Sequence, residues 1–162
     1  MDTITVKYYS SINCSPAWRF VPKVEEELTT NCFLSFANPL QPDNDQVLIA
    51  FSSASENPST EDLVGFLSYH YVESAQGWWI NTSYVLPGHR QKGIHTLLFN
   101  TLVERAKARG DILGIECITH YNNHVAQAAF KKQGRVPVNI GYRFQVKEFS
   151  PARDPLDKAH FG

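Results

Sequence analysis

The sequence has little net charge, few cysteines and no long apolar run. Its 15 Lys and Arg residues nearly balance 16 Asp and Glu residues, giving a formal net charge of −1. A general nucleic-acid-binding protein would carry a clear basic excess. The three cysteines, Cys14, Cys32 and Cys117, form no CxxC pair and are expected to be reduced thiols. No apolar stretch approaches the ~20 residues of a membrane span, and residues 1–11 lack a signal-peptide core. These absences predict a cytoplasmic protein that binds neither membranes nor nucleic acid.

The apolar patterns predict a mixed α/β fold. Strands are predicted at residues 3–9, 46–52, 63–72, 78–86 and 112–120, with a closing pair at 136–140 and 142–149. Helices are predicted at residues 21–36, from about 91 to 110, and at 123–133. This order gives a mixed central sheet flanked by helices. We expect a single domain over residues 1–150, followed by a polar tail at 151–162.

The stretch VLPGHRQKGIH, residues 85–95, connects a predicted strand to the clearest helix. That helix carries an apolar line at spacing four, formed by Ile94, Leu98, Leu102 and Ala106. A helix N-terminus exposes N–H groups and a partial positive charge, which favour an anion. Gly93 allows a ligand to approach the backbone closely, and Arg90 and Lys92 add positive charge. The stretch therefore predicts a phosphate-binding turn.

Two common nucleotide motifs do not fit this stretch. Gly88 and Gly93 have the spacing of a Walker loop, but Ile94 and His95 follow where Lys and Ser or Thr are required. The dinucleotide pattern GxGxxG is absent. These departures exclude a P-loop nucleotide triphosphatase and a dinucleotide-binding motif of that type.

Residues 85–110, VLPGHRQKGIHTLLFNTLVERAKARG, resemble the acetyl-CoA-binding segment of the GNAT superfamily of N-acetyltransferases. Arg90, Gln91, Lys92, Gly93 and Ile94 fit the family pattern, and His95 stands where Gly or Ala is usual. Residues 121–134, YNNHVAQAAFKKQG, resemble the next family helix. The positions that match it are Asn123, Ala126, Phe130 and Gly134. The resemblance covers about residues 65–134 and implies the acyl-CoA N-acyltransferase fold.

The resemblance also implies a function, the transfer of an acetyl group from acetyl-CoA to a primary amine by direct transfer in a ternary complex. The pyrophosphate would lie on the helix N-terminus, at the backbone of Gln91, Lys92, Gly93, Ile94, His95 and Thr96. The pantetheine arm would pair with the strand at Ser83, Tyr84 and Val85, where a backbone N–H would polarise the thioester carbonyl. Asn123 would hydrogen-bond the same arm.

The reaction also needs groups that move protons, and the sequence offers several candidates for them. Phe130 occupies a position where many family members carry a tyrosine that protonates the leaving thiolate. Tyr121, His120 or His124 would have to replace it, or the thiolate would leave without a dedicated acid. Glu116 is the predicted base that deprotonates the amine, and Glu73 is less well placed. His120 and His124 have no evident third ligand, so no metal is expected.

Two other functions remain open from the sequence. One is a non-catalytic acyl-CoA-binding or interaction module on the same fold, and the other is a phosphate-binding domain unrelated to CoA. The acceptor is expected to be a small-molecule or protein amine, and the protein a monomer or a homodimer.

Overall fold

The computed structural model describes residues 3–30 and 43–142. These residues divide into two compact units. The first comprises residues 3–21 and 43–118, and the second comprises residues 22–30 and 119–142. No helix in these described ranges is long and apolar enough to cross a membrane.

The first unit is built on a five-stranded sheet in the order β1-β2-β3-β4-β5. The strands are β1 Ile4–Tyr9, β2 Gln46–Ser52, β3 Leu63–Val72, β4 Gly77–Val85 and β5 Ile115–Cys117. Each of the first four strands pairs antiparallel with its neighbour, whereas β4 and β5 run parallel. The predicted mixed α/β sheet is therefore confirmed.

The described residues also form three α-helices, which are α1 Val21–Thr30, α2 Ile94–Arg109 and α3 His124–Lys132. The apolar line of α2 packs on one face of the sheet, against β2, β3 and β4. The resulting core consists of Leu48, Ala50, Val64, Leu67, Tyr69, Trp78, Ile80, Ile94, Leu98, Phe99, Leu102 and Ala106. Burial raises the pKa of the Tyr69 phenol above its ordinary value, although the Arg105 guanidinium, 3.4 Å from its oxygen, acts in the opposite direction. Tyr69 is therefore a neutral core residue.

Two predicted strands differ from the structure, and three predicted segments cannot be compared with it. The strand predicted at residues 112–120 is limited to Ile115–Cys117, because the ladder with β4 covers only three residue pairs. Residues 136–140 form no ladder with any described residue. Residues 31–36 of the first predicted helix, residues 143–149 of the last predicted strand and the tail at 151–162 lie outside the described residues.

Candidate active site

The connection between β4 and α2 is a tight turn with left-handed backbone. After a 3₁₀ turn at Pro87–His89, Gln91 has φ of 61° and Gly93 has φ of 78°. Gly93 is the N-cap of α2, and its carbonyl accepts the first helical hydrogen bond, from the Leu97 N–H, at 2.9 Å. Apart from its chain neighbours, no described residue has an atom within 4 Å of a Cβ atom placed at Gly93. The N-terminus of α2 therefore opens onto free space, where an anion can approach the backbone.

Two cationic side chains are held beside this turn. Arg90 Nε donates to the Val85 carbonyl oxygen at 2.8 Å, and its guanidinium lies 5.4 Å from the centroid of the Tyr84 ring. Lys92 Nζ donates to the Gly88 carbonyl oxygen at 3.1 Å. Both residues remain exposed. Their charges add to the partial positive charge of the helix N-terminus.

The second half of β4 extends beyond its ladder with β5. The ladder pairs Trp78, Trp79 and Ile80 with β5 and then ends, while β4 continues to Val85. The two strands thus separate after Ile80, and Ser83 lies beyond the end of the β5 ladder. The Ser83 hydroxyl oxygen is buried and has no hydrogen-bond partner among the described residues.

A β-bulge marks the point where the strands separate. Ser68 on β3 faces Thr82, but Tyr69 faces Ile80, so Asn81 is the extra residue on β4. Asn81 Nδ2 lies 2.8 Å from each carboxylate oxygen of Asp45, and the side chain of Asp45 is fully buried. The same amide nitrogen is 3.1 Å from His70 Nδ1, which is 3.4 Å from Asp45 Oδ1. A buried carboxylate, an amide and an imidazole therefore form one cluster at the bulge.

Sequence analysis missed this cluster. The signals were an asparagine inside a predicted strand, where that residue type is rare, and a histidine within the largely apolar β3 sequence. Only the register of the β3–β4 hairpin brings Asn81 and His70 together, and Asp45 comes from the turn that precedes β2.

The two predicted catalytic residues are both exposed. Glu116 is the middle residue of β5 and faces Trp79 in the parallel register. Tyr121, in the second unit, has 72% of its surface exposed. Its ring centroid is 6.5 Å from that of His124, and its carbonyl oxygen accepts from Gln127 Nε2. Neither the role of Glu116 nor that of Tyr121 follows from these positions, so both stay predictions.

The second unit holds the remaining predicted residues. Asn123 is the N-cap of α3, and its Oδ1 accepts from the Ala126 N–H at 3.1 Å. This capping bond uses the amide oxygen and not the Nδ2 hydrogens. Phe130 is half-buried, with the Arg135 guanidinium 4.4 Å from its ring centroid. In the described ranges, no group of three or more His, Cys, Asp or Glu side chains is arranged to hold a metal ion.

Comparisons with solved structures show the same fold in acetyltransferases. A ribosomal-protein-alanine N-acetyltransferase from Brucella melitensis superposes with a TM-score of 0.56 at 16% identity, covering 91% of this chain and 100% of the other. NAA60 from Arabidopsis thaliana, in complex with acetyl-CoA, gives 0.58 at 14% identity, covering 82% and 84%. AAC(6')-Iy, in complex with the bisubstrate analogue CoA-S-monomethyl-acetylneamine, gives 0.55 at 16% identity, covering 88% and 99%. At these identities the likeness shows the fold.

Comparison with family models identifies the family itself. No curated protein sequence matches the chain. The model of the Acetyltransferase (GNAT) family matches residues 15–134, well over half of the 162 residues. The match includes the whole of β4, the left-handed turn and α2. The chain therefore belongs to the GNAT family of acetyltransferases.

Proposed function

We propose that the protein transfers the acetyl group of acetyl-CoA to a primary amine, directly, in a ternary complex. The observation that carries this proposal is the open left-handed turn at Gln91 and Gly93, where α2 begins beside the separated end of β4. The family match and the complexes of structural neighbours with acetyl-CoA or a CoA analogue support the same ligand. We place this activity in the cytoplasm, as the sequence predicts.

The residues of the turn fit the pyrophosphate of acetyl-CoA. Backbone N–H groups of Gln91, Lys92, Gly93, Ile94, His95 and Thr96 would face it. A Cβ atom placed at Gly93 would meet none of the described residues beyond its chain neighbours, and the cations Arg90 and Lys92 lie at the same turn. Their charges match the two phosphate groups.

The second half of β4 fits the pantetheine arm. Ser83, Tyr84 and Val85 would pair with the arm as a neighbouring strand does, since they lie beyond the β5 ladder. The buried Ser83 hydroxyl has no hydrogen-bond partner among the described residues, so it would be able to bond the arm. In the second unit, Asn123 would donate to the arm through Nδ2, and Phe130 would pack beside it. When bound, acetyl-CoA supplies an activated acetyl group as a thioester.

The reaction needs a proton acceptor for the amine, because an ammonium group has no lone pair with which to attack. Glu116 is the base predicted from the sequence. Tyr121 is the predicted acid for the leaving thiolate, since Phe130 has no proton to give. A thiol with a pKa of about 8.5 is a tolerable leaving group, so this acid contributes less than the base.

Calorimetry with acetyl-CoA, followed by a thiol-release assay, tests the function. We expect wild-type protein to bind acetyl-CoA and to acetylate at least one amine of a panel containing neamine, a peptide beginning with alanine, a lysine peptide and spermidine. The complex of AAC(6')-Iy with an analogue that contains acetylneamine motivates the first acceptor, and the ribosomal-protein-alanine N-acetyltransferase motivates the second. Mass spectrometry of the product would identify the acetylated nitrogen.

Two outcomes of these assays favour the alternatives. Binding without turnover of any amine would favour a non-catalytic acyl-CoA-binding module. Pyrophosphate alone binding as tightly as acetyl-CoA would favour a phosphate-binding domain. No binding of acetyl-CoA by the folded protein contradicts the proposed function at its first step.

Replacement of Ser83 by alanine separates ligand binding from folding. Because the buried hydroxyl has no hydrogen-bond partner among the described residues, its removal should leave the free energy of unfolding unchanged or slightly increased. If the hydroxyl bonds the pantetheine arm, acetyl-CoA should bind about 5- to 10-fold more weakly, as expected for one neutral hydrogen bond. Urea denaturation and calorimetry measure the two quantities. A large loss of stability would show that the hydroxyl has a structural partner.

A further inference from the structure

Trp79 lies at the centre of a row of three side chains that crosses the sheet. It pairs with His70 of β3 on one side and with Glu116 of β5 on the other. Neighbouring strands are about 4.8 Å apart, so the backbones of His70 and Glu116 are separated by about 10 Å. The proposed function uses Glu116 as the predicted base and gives no role to His70 or Trp79.

The row lies on the face of the sheet opposite α2. The residues that flank it along the three strands all contribute to the core under α2 or pack against that core, and they are Tyr69, Tyr71, Trp78, Ile80, Ile115 and Cys117. Because side chains alternate along a strand, the row itself points to the other face. Glu116 is exposed, Trp79 is half-buried and 30% of the His70 side chain is exposed. An acceptor amine can thus reach the row without displacing α2.

The position of the row relates it to the proposed reaction. The pair of Trp79 and Glu116 is followed by one more pair, Ile80 and Cys117, and β4 and β5 then separate. The part of β4 that we assign to the pantetheine arm lies just beyond this point. The row therefore borders the inner end of the proposed pantetheine groove, where the acetyl group would lie.

The contacts of His70 define it as a hydrogen-bond donor toward the acceptor. Its Nδ1 is 3.1 Å from Asn81 Nδ2, nearer than the Asp45 carboxylate at 3.4 Å. The Asn81 amide nitrogen has to face this way, because it also lies 2.8 Å from both carboxylate oxygens, which an amide oxygen would repel. An amide nitrogen can only donate, so His70 Nδ1 accepts and the ring hydrogen is on Nε2. His70 therefore presents an N–H group on the side of the ring away from Asp45.

The ring of Trp79 differs from other aromatic rings of the sheet in having no arginine over it. Arg105 lies 4.0 Å from the centroid of the Tyr8 ring. Arg109 lies 4.8 Å from that of the Tyr71 ring. Among the described residues no cation is placed over Trp79 in this way, and its neighbour on β5 is a carboxylate. The row thus consists of an N–H donor, an apolar ring and a negative charge.

These three groups match the chemistry of an amino sugar. The negative face of an indole attracts the C–H groups of a saturated ring and a nearby ammonium group. An N–H donor binds a hydroxyl oxygen, and a carboxylate binds an ammonium group. A polyamine has no oxygen for the His70 N–H group. An extended peptide has such oxygens, but its backbone has no saturated ring that would cover the indole.

We propose that His70, Trp79 and Glu116 form the acceptor subsite and that they select an amino sugar. This inference rests on the proposed acetyl transfer. The sugar ring packs on Trp79, one of its hydroxyl oxygens accepts from His70 Nε2, and its ammonium group donates to Glu116. Asn81 and Asp45 are positioning residues that hold the His70 ring.

The first arm of the test needs no turnover. Histidine ¹⁵N NMR, with His70 assigned by comparison with His70→Ala, should show hydrogen on Nε2. The indole N–H signal of Trp79, assigned by comparison with Trp79→Phe, should shift when neamine is added to the protein saturated with CoA, and it should shift less with spermidine. A wild-type His70 ring with hydrogen on Nδ1 overturns the proposal, and so does an indole signal that does not respond to neamine.

The second arm compares acceptors of wild-type protein by kcat/KM. The set contains neamine, spermidine, the two peptides and cyclohexylamine, whose ammonium group is carried by a saturated six-membered ring without hydroxyl groups. Neamine should exceed each of the others by at least about 10-fold, the difference expected for one or two hydrogen bonds. A higher kcat/KM for spermidine or for a peptide would leave acetyl transfer standing and overturn the choice of an amino sugar.

The third arm tests the residues. Trp79→Ala should lower kcat/KM for neamine by about 10- to 100-fold, mainly through KM, and Trp79→Phe should retain most of it. His70→Ala should lower the ratio of kcat/KM between neamine and cyclohexylamine by about 10-fold, because only neamine has an oxygen to accept from Nε2. That ratio does not depend on the folded fraction, since both acceptors are assayed in one sample. Tyr71→Ala, which removes a ring on the other face of the sheet, should leave the ratio unchanged.

The outcomes separate this inference from the proposed function. Failure of wild type to bind acetyl-CoA contradicts the function itself and with it the acceptor subsite. Equal losses for all acceptors in a folded Trp79→Ala that still binds acetyl-CoA would give Trp79 a structural role and overturn the proposal. An unchanged ratio in His70→Ala overturns the assignment of its Nε2 as the donor to the sugar.

Discussion

Replacing Gly93 by aspartate should weaken acetyl-CoA binding by about 2–4 kcal/mol, or about 30- to 1,000-fold, because a carboxylate would stand next to the pyrophosphate. Gly93 is the N-cap of α2, and a Cβ atom placed there would meet none of the described residues within 4 Å beyond its chain neighbours. The new side chain therefore meets the ligand and not the protein. Calorimetric titration of acetyl-CoA measures the change.

Two further variants separate the effect of the negative charge from the effects of side-chain size and left-handed backbone. Gly93→Asn has nearly the shape of Gly93→Asp without its charge, and both residue types tolerate left-handed backbone better than other side chains. Its loss of affinity should be clearly smaller. Gly110→Asn introduces the same side chain at the other end of α2, where φ is 86° and the space is also open. That variant should bind acetyl-CoA as wild type does. Equal affinity of Gly93→Asp and wild type would contradict a pyrophosphate site at this turn.

The sequence predicted the sheet, α2 and the phosphate-binding turn because each depends on local patterns. Strand alternation, the apolar line of α2 and the two glycines that bound this helix can all be seen within short windows. The start of α2 was placed three residues too early. The reason is the left-handed backbone at Gln91 and Gly93, which interrupts helical dihedrals in a segment whose composition is compatible with a helix.

Features that depend on pairing between distant residues could not be predicted. The bulge at Asn81 exists only in the register of β3 against β4, and the shortness of β5 follows from its separation from β4. The contact of the buried Asp45 with His70 joins the turn before β2 to the middle of β3. A single sequence does not show which residues of two strands pair with each other. The polar residues of the cluster therefore looked like ordinary strand and turn residues.

The resemblance to the GNAT family concerns the binding of acetyl-CoA and not the binding of the acceptor amine. The two motif blocks concern the ligand that is shared across the family, and the family match confirms the resemblance over residues 15–134. The acceptor side has no such motif. Its predicted base, Glu116, lies on β5 and pairs with Trp79 of β4. Because no local pattern marks the residues that would contact an acceptor amine, the role of Glu116 stays a prediction.

Replacing Leu102 by alanine should destabilise the protein by about 2–5 kcal/mol, a large part of a typical total of about 5–15 kcal/mol. Leu102 is fully buried in the core between α2 and the sheet. Its removal leaves a cavity under the helix whose N-terminus forms the proposed pyrophosphate site. Urea denaturation followed by circular dichroism measures the loss.

Leu97→Ala is the matched control for this change, because it makes the same substitution on the same helix at a residue that is 38% exposed. Its cost should be clearly smaller, about 1–2 kcal/mol, since more than a third of the residue is already in contact with water. The core variant should also bind acetyl-CoA more weakly near its unfolding transition, as ligand binding then has to draw on a smaller folded fraction. Equal destabilisation by the two variants would contradict the packing of α2 described here. It would mean that the apolar residues of α2 do not pack on the sheet. The position of its N-terminus would then depend on other contacts.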